Sequence, residues 1–90
     1  KLVSSGRKLL DQARNCTAQW QKQKLERLYT SFGFVIKNGS KHDIVKHPDF
    51  PQLRSTLPRH NVVNRVYVAQ AVSLIEKLFS LEKEYHDQEN

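Results

Sequence analysis

The stretch from Gly33 to Pro58 constrains this chain more than any other, because its turn-forming residues leave room only for short strands. Gly33, the Asn38-Gly39 pair, Pro48, Pro51 and Pro58 cut it into three runs. Phe34-Val35-Ile36 is aromatic and β-branched, and Asn38-Gly39 is the strongest short turn signal in the chain. Residues 42–46 are therefore expected to return as the second strand of an antiparallel hairpin. Pro48-Asp49-Phe50-Pro51 cannot continue a sheet and makes the next loop. Leu53, Ser55 and Leu57 alternate with Arg54 and Thr56, which predicts a third strand with one inner and one polar face, stopped by Pro58.

The flanks read as helices. Leu25, Leu28, Tyr29 and Phe32 fall at i, i+3, i+4 and i+7, predicting a helix from Ala18 to Ser31 that Trp20 staples by packing on Leu25 and that Gly33 ends. Asn64 can cap a final helix over Arg65 to Glu84, with Val68, Ala71, Val72, Ile75 and Phe79 expected to cover the sheet. A second row, Tyr67, Leu74, Leu78, Leu81 and Tyr85, widens the apolar arc and calls for either the first helix or another protein against it. Lys1 to Gly6 reads as a loose polar end. Leu9, Leu10 and Ala13 predict a short helix over Arg7 to Arg14, and Asn15-Cys16-Thr17 reads as a break. The expectation is thus an α+β domain of order α-β-β-β-α, its three-stranded antiparallel sheet covered by helices. Residues 1–14 would be an extension with a short extra helix, and 15–90 the domain proper.

Ninety residues make one domain with a single core and no space for a separate cofactor domain, so function must sit on the surface. The net charge of +6 is unevenly spread: residues 1–65 hold thirteen basic and four acidic side chains, residues 66–90 two and five. A cationic field ahead of the last helix favours a polyanion, most simply nucleic acid. Cys16 is the only cysteine, which excludes an internal disulfide and a Cys-rich zinc site, fits a reducing cytoplasm, and makes Cys16 by default a small buried hydrophobe. The apolar run Phe32 to Ile36 falls far short of the ~20 residues of a membrane span. No signal-peptide pattern is present, and the absence of methionine implies that the natural start is missing or processed.

Within the hairpin, His42 stands where a glycine turn hands over to a strand, with Lys37, Lys41 and Lys46 around it. Strand alternation gives His42, Ile44 and Lys46 one face and Asp43, Val45 and His47 the other; each face has one apolar residue, so periodicity does not decide which is buried. His47, before Pro48, reads as structural, its ring hydrogen-bonding the turn backbone. His60 follows Pro58-Arg59 and is either near the site or a solvent-facing loop residue. A metal site of His42, His47 and His60 is disfavoured, since residues five apart face opposite sides of a strand. Helical Lys22, Lys24 and Arg27 read as a solvated face.

Gly39-Ser40-Lys41-His42, the spacing His42-x4-His47-Pro48, and Thr56-Leu57-Pro58-Arg59-His60 resemble the HicA toxins of bacterial type II toxin–antitoxin modules, a resemblance that extends back through Leu25 to Phe34. It implies a fold similar to a double-stranded-RNA-binding domain, metal-independent cleavage of mRNA without a cofactor, and a HicB-type antitoxin that occludes the active site. His42 falls on the family's catalytic histidine, and Gly39 and Ser40 on the turn that presents it. Three features depart from the family's pattern. Asp43 stands where a basic or apolar residue is more usual, to repel phosphate or pair with the imidazole; Asn61-Val62-Val63-Asn64 replaces the Lys-Pro-Gly-Thr-like approach to the last helix; and the last helix runs longer and ends acidic.

The chemistry so implied asks little of the protein, because RNA carries its own nucleophile, the 2′-hydroxyl beside the phosphate. Histidine, with a reference pKa of about 6.5, is largely a free base at neutral pH and can return the proton it takes. Lys37, Lys41 or Arg59 would offset charge developing on the phosphorane oxygens. The RNA-binding set expected around His42 is Lys37, Gly39, Ser40, Lys41, Lys46, Arg54 and Arg59. No residue identifies itself as the general acid. The rival reading is a noncatalytic RNA-binding module on the same fold; a third is a DNA-binding or structural subunit that dimerises through the second apolar row of the final helix.

Overall fold

The computed structural model describes residues 2–15 and 18–89, with side chains described from Gly6 to Glu84 within that range. Cys16 and Thr17, and with them the predicted break and the burial of the thiol, lie outside the described residues, as does the Tyr85 side chain. The elements run α1 (Leu2–Arg14), β1 (Trp20–Gln21), α2 (Lys22–Ser31), β2 (Val35–Asn38), β3 (Asp43–Lys46), β4 (Arg54–Leu57), β5 (Val62–Val63) and α3 (Arg65–Glu89). β2, β3 and β4 form a three-stranded antiparallel sheet in sequence order, and β1 pairs antiparallel with β5 in a separate two-stranded sheet. Among the described residues the chain forms a small α+β domain with three helices.

One apolar core unites these elements. Leu25, Leu28 and Tyr29 of α2 are fully buried, and after the helix Gly33 takes the left-handed conformation (φ 90°) that reverses the chain into β2. In the three-stranded sheet the covered face is set by Val45, wholly buried at the centre of β3, with Leu53 and Leu57 at either end of β4 and Phe34 leading into β2. Asp43 and His47 share that face with Val45, which resolves the ambiguity left by the alternation: the side with the carboxylate is the buried one.

Several expectations change. α2 begins at Lys22 rather than Ala18, because Trp20 and Gln21 are drawn into β1 by pairing with Val63 and Val62. Trp20 is buried and carries the Lys24 ammonium 4.4 Å above its ring. The loose end expected over the first six residues is helical from Leu2 onward, since α1 docks on α2 and α3 with Leu10 and Ala13 in the common core and a short helix gains its stability from such docking. α3 extends to Glu89, capped as expected by Asn64, whose side-chain oxygen accepts the Val66 N–H at 2.9 Å. Its core stripe is Val68, Ala71, Ile75 and Leu78, whereas Phe79 is 37% exposed and lies edge-on to Phe32. Leu78 takes the buried place, and Phe79 turns toward α1 and the end of α2, where it lines shallow cavities with Arg7, Leu10 and Phe32.

The two flanking positions on α3 should separate in a stability measurement. Ile75→Ala, at a fully buried site, is expected to cost about 2–5 kcal/mol in urea unfolding, and Phe79→Ala distinctly less. Equal losses at the two positions would contradict the assigned face.

Candidate active site

The hairpin between β2 and β3 turns over four residues, Gly39 to His42, with Asn38 paired to Asp43 as its last rung. The two-residue turn suggested by Asn38-Gly39 is not formed, and His42 lies in the loop rather than in the returning strand. The Gly39 N–H donates to the His42 carbonyl at 3.0 Å and closes the loop on itself. A Cβ at position 39 would overlap that carbonyl oxygen, so glycine is required for the approach. Ser40, Lys41 and His42 are exposed at the tip.

β3 then begins with a buried charge. Asp43 is 4% exposed; its Oδ2 accepts a hydrogen bond from Lys22 Nζ at the start of α2, and Arg59 Nε lies 3.5 Å from Oδ1. The Arg59 contact is an ion pair without hydrogen-bond geometry, which leaves Oδ1 without a hydrogen-bond partner among the described residues. The hydrogen bond from Lys22 holds the Asp43 carboxyl below the usual carboxylate range against the opposing effect of burial, and the charges of Lys22 and Arg59 add to it. Asp43 therefore neither faces the loop's solvent side as a repulsive charge nor pairs with an imidazole. Lys22, expected on a solvated face, is partly buried in this pair.

Arg59 belongs to the turn that follows β4. Leu57 pairs with Asp43, so Pro58 to Asn61 leave the sheet beside the His42 loop. The turn is fastened at both ends: Arg59 reaches Asp43, and the Asn61 carbonyl accepts the Lys22 N–H at 2.8 Å. His60, between these anchors, is exposed. A groove lined by Gln21, Lys22, Gln23, Asn61 and Val62 runs along the same end of the molecule.

His47 has a different role. It is 6% exposed, with its ring edge-on to Phe34 at 5.0 Å and near Phe50 at 5.5 Å, and its Nδ1 accepts the Asp49 N–H at 3.1 Å. It is a structural residue of the β3–β4 connection, on the covered side of the sheet and apart from the exposed His42 and His60.

The open face of the sheet carries the remaining expected cations. Register puts Val35, Lys46 and Arg54 in one row and Lys37, Ile44 and Thr56 in the next. Lys37, Lys46 and Arg54 are exposed, and among the described residues none of them is ion-paired. The only carboxylate within the three strands, Asp43, is on the other face. The sequence-predicted residues thus divide into a loop set (Gly39, Ser40, Lys41, His42), a face set (Lys37, Lys46, Arg54) and Arg59, which is committed to Asp43. Sequence reasoning missed Lys22 and the pairing role of Asp43, because the partners are twenty-one residues apart and neither belongs to a local pattern.

The Asp43 pairing yields a pH prediction. A carboxylate whose folded pKa is depressed contributes stability that is fully present above its unfolded pKa of about 3.9 and is lost as pH falls through the folded value. Asp43→Asn is expected to destabilise the chain at neutral pH, leaving Lys22 and Arg59 without their counter-charge, and the gap from the parent should close as pH falls below about 4. A gap of constant size in unfolding experiments from pH 7 to pH 2 would refute the pairing.

No protein-family model, curated protein or solved structure matches this chain, so its site is defined by its own geometry.

Proposed function

We propose that this chain is a metal-independent endoribonuclease of the HicA toxin type, acting on mRNA, with His42 as the general base and no cofactor. The observation that carries the reading is the loop from Gly39 to His42: it is closed by its own backbone hydrogen bond and holds an exposed imidazole beside a sheet face with three unpaired cations and no carboxylate. The order α2-β2-β3-β4-α3, with the core on one sheet face and the other face open, supports a double-stranded-RNA-binding-domain-like arrangement.

In this reading Lys37, Lys46 and Arg54 bind the phosphate chain, and Lys41 and the loop backbone of Gly39 and Ser40 bring one phosphate to His42. The imidazole takes the 2′-hydroxyl proton, the 2′-oxygen attacks phosphorus, and the product is a 2′,3′-cyclic phosphate. Lys41 and Lys37, the face cation nearest the loop, offset the added negative charge of the phosphorane. The function lies in the cytoplasm, where mRNA is found; no helix among the described residues is long and apolar enough to cross a membrane. A HicB-type antitoxin would silence the site by covering the loop, and an acidic patch on it would speed association more than it tightens the complex.

The test is to incubate labelled RNA with the chain in chelator and to analyse the ends. Cleavage leaving cyclic phosphate, lost in His42→Ala by about 100-fold or more while RNA affinity and folding persist, is the expected result. Retention of RNA with no cleavage by the parent would favour a noncatalytic RNA-binding module, which the open cationic face suits equally well.

The same face predicts how affinity responds to salt. Each phosphate contact on a single strand contributes a slope of about −0.7 in log affinity against log salt, so replacing Lys37, Lys46 and Arg54 together by alanine should flatten the slope by about 2. Replacing Lys77 and Lys83 on α3 should leave it unchanged. An affinity indifferent to salt would remove the protein from the nucleic-acid class.

A further inference from the structure

Cleavage of RNA needs two proton transfers, one from the attacking 2′-oxygen and one to the departing 5′-oxygen, and the reading above assigns a group, His42, to the first alone. We propose that His60 is the second group, the acid that protonates the leaving oxygen; this rests on the ribonuclease reading above. The two histidines are tied together through their neighbours. Asp43 follows His42 directly, Arg59 precedes His60 directly, and the side chains of Asp43 and Arg59 meet at 3.5 Å. The last rung of the sheet, Asp43 opposite Leu57, sends both segments off the same end of the molecule, one backward into the His42 loop and the other forward into the His60 turn.

Both imidazoles are held on closed segments and left free. The His42 loop is shut by the Gly39 N–H, and the His60 turn is fastened by Arg59 on one side and by the Asn61 carbonyl on the other. Each ring is exposed, and among the described residues neither has a hydrogen-bond or ion-pair partner. The proposal places the phosphate between the loop and the turn, the two segments that the Asp43–Arg59 contact holds together. The step balances without a further reactant: His42 accepts the 2′-hydroxyl proton, the 2′-oxygen–phosphorus bond forms as the phosphorus–5′-oxygen bond breaks, and the 5′-oxygen takes the proton of the His60 imidazolium. The products are a 2′,3′-cyclic phosphate and a 5′-hydroxyl, and exchange with water resets both rings.

The experiment compares the parent chain with His60→Ala and His60→Gln on two substrates, ordinary RNA and the same RNA with sulfur in place of the bridging 5′-oxygen at one linkage. Sulfur leaves as a thiolate and needs no acid. The expected result is that the His60 variants, folded by circular dichroism, cleave ordinary RNA about 100-fold more slowly or worse and cleave the sulfur linkage at nearly the parental rate. His42→Ala should be slow on both. Unchanged cleavage of ordinary RNA by the His60 variants, or an equal loss on both substrates, overturns the assignment and leaves the ribonuclease reading standing. No cleavage by the parent overturns the ribonuclease reading and this inference with it.

Discussion

A carboxylate that is 4% exposed cannot stay charged without partners, and the way Asp43 finds them organises this end of the molecule. One oxygen accepts from Lys22 at the start of α2, and the other faces Arg59 in the turn after β4. Three segments remote in sequence are thereby fixed to one point. Removing one member of a buried ion pair strands the other charge, so each of the three residues holds the other two in place. That geometry includes the hairpin register. A slip of one residue would expose Val45 and Asp43 together and turn Ile44 and Lys46 inward, placing an ammonium group where the core is fully closed.

The one-sidedness of the sheet follows from the same constraint. With Asp43, Val45 and His47 turned toward the helices, the cations at Lys37, Lys46 and Arg54 must face out, and the only strand carboxylate is removed from their field. Two cations against one carboxylate leave the Lys22–Asp43–Arg59 cluster itself positive. An acidic residue next to a proposed phosphate-binding loop is thereby made harmless: its charge is spent internally, and its backbone still sets where the loop begins.

Much of this was legible in the sequence wherever a local pattern carried the information. Turn residues located the three strands, and the three-and-four spacing of Leu25, Leu28 and Tyr29 identified the buried side of α2. Leu53 and Leu57 marked the inner face of β4 for the same reason. What escaped was decided at long range. A two-residue strand such as Trp20–Gln21 has no alternation to detect, and its partner Val62–Val63 lies more than forty residues away. Asn38-Gly39 invited a two-residue turn, but the register that seats Asp43 against Lys22 leaves four residues to close the loop. Phe79 fitted the helical stripe as well as Leu78 did, and only packing between elements remote in sequence decided which of them is buried.

The candidate site was legible only where it is local, and the division has a physical basis. Composition and turn chemistry point to an exposed histidine among cations, since both are properties of a short stretch. Whether a second group can act with it depends on which other turn the fold delivers to the same place, and no spacing along the chain encodes that. Here the delivery is made by an ion pair between the residue after one histidine and the residue before another. Preorganisation of this kind matters because proton transfer demands heavy atoms within hydrogen-bond reach of the reacting oxygens, and side chains on unfastened turns would lose that reach to thermal motion. Asp43 therefore works through its neighbours: by binding Lys22 and Arg59 it ties the segment after His42 to the segment before His60 and both to the start of α2.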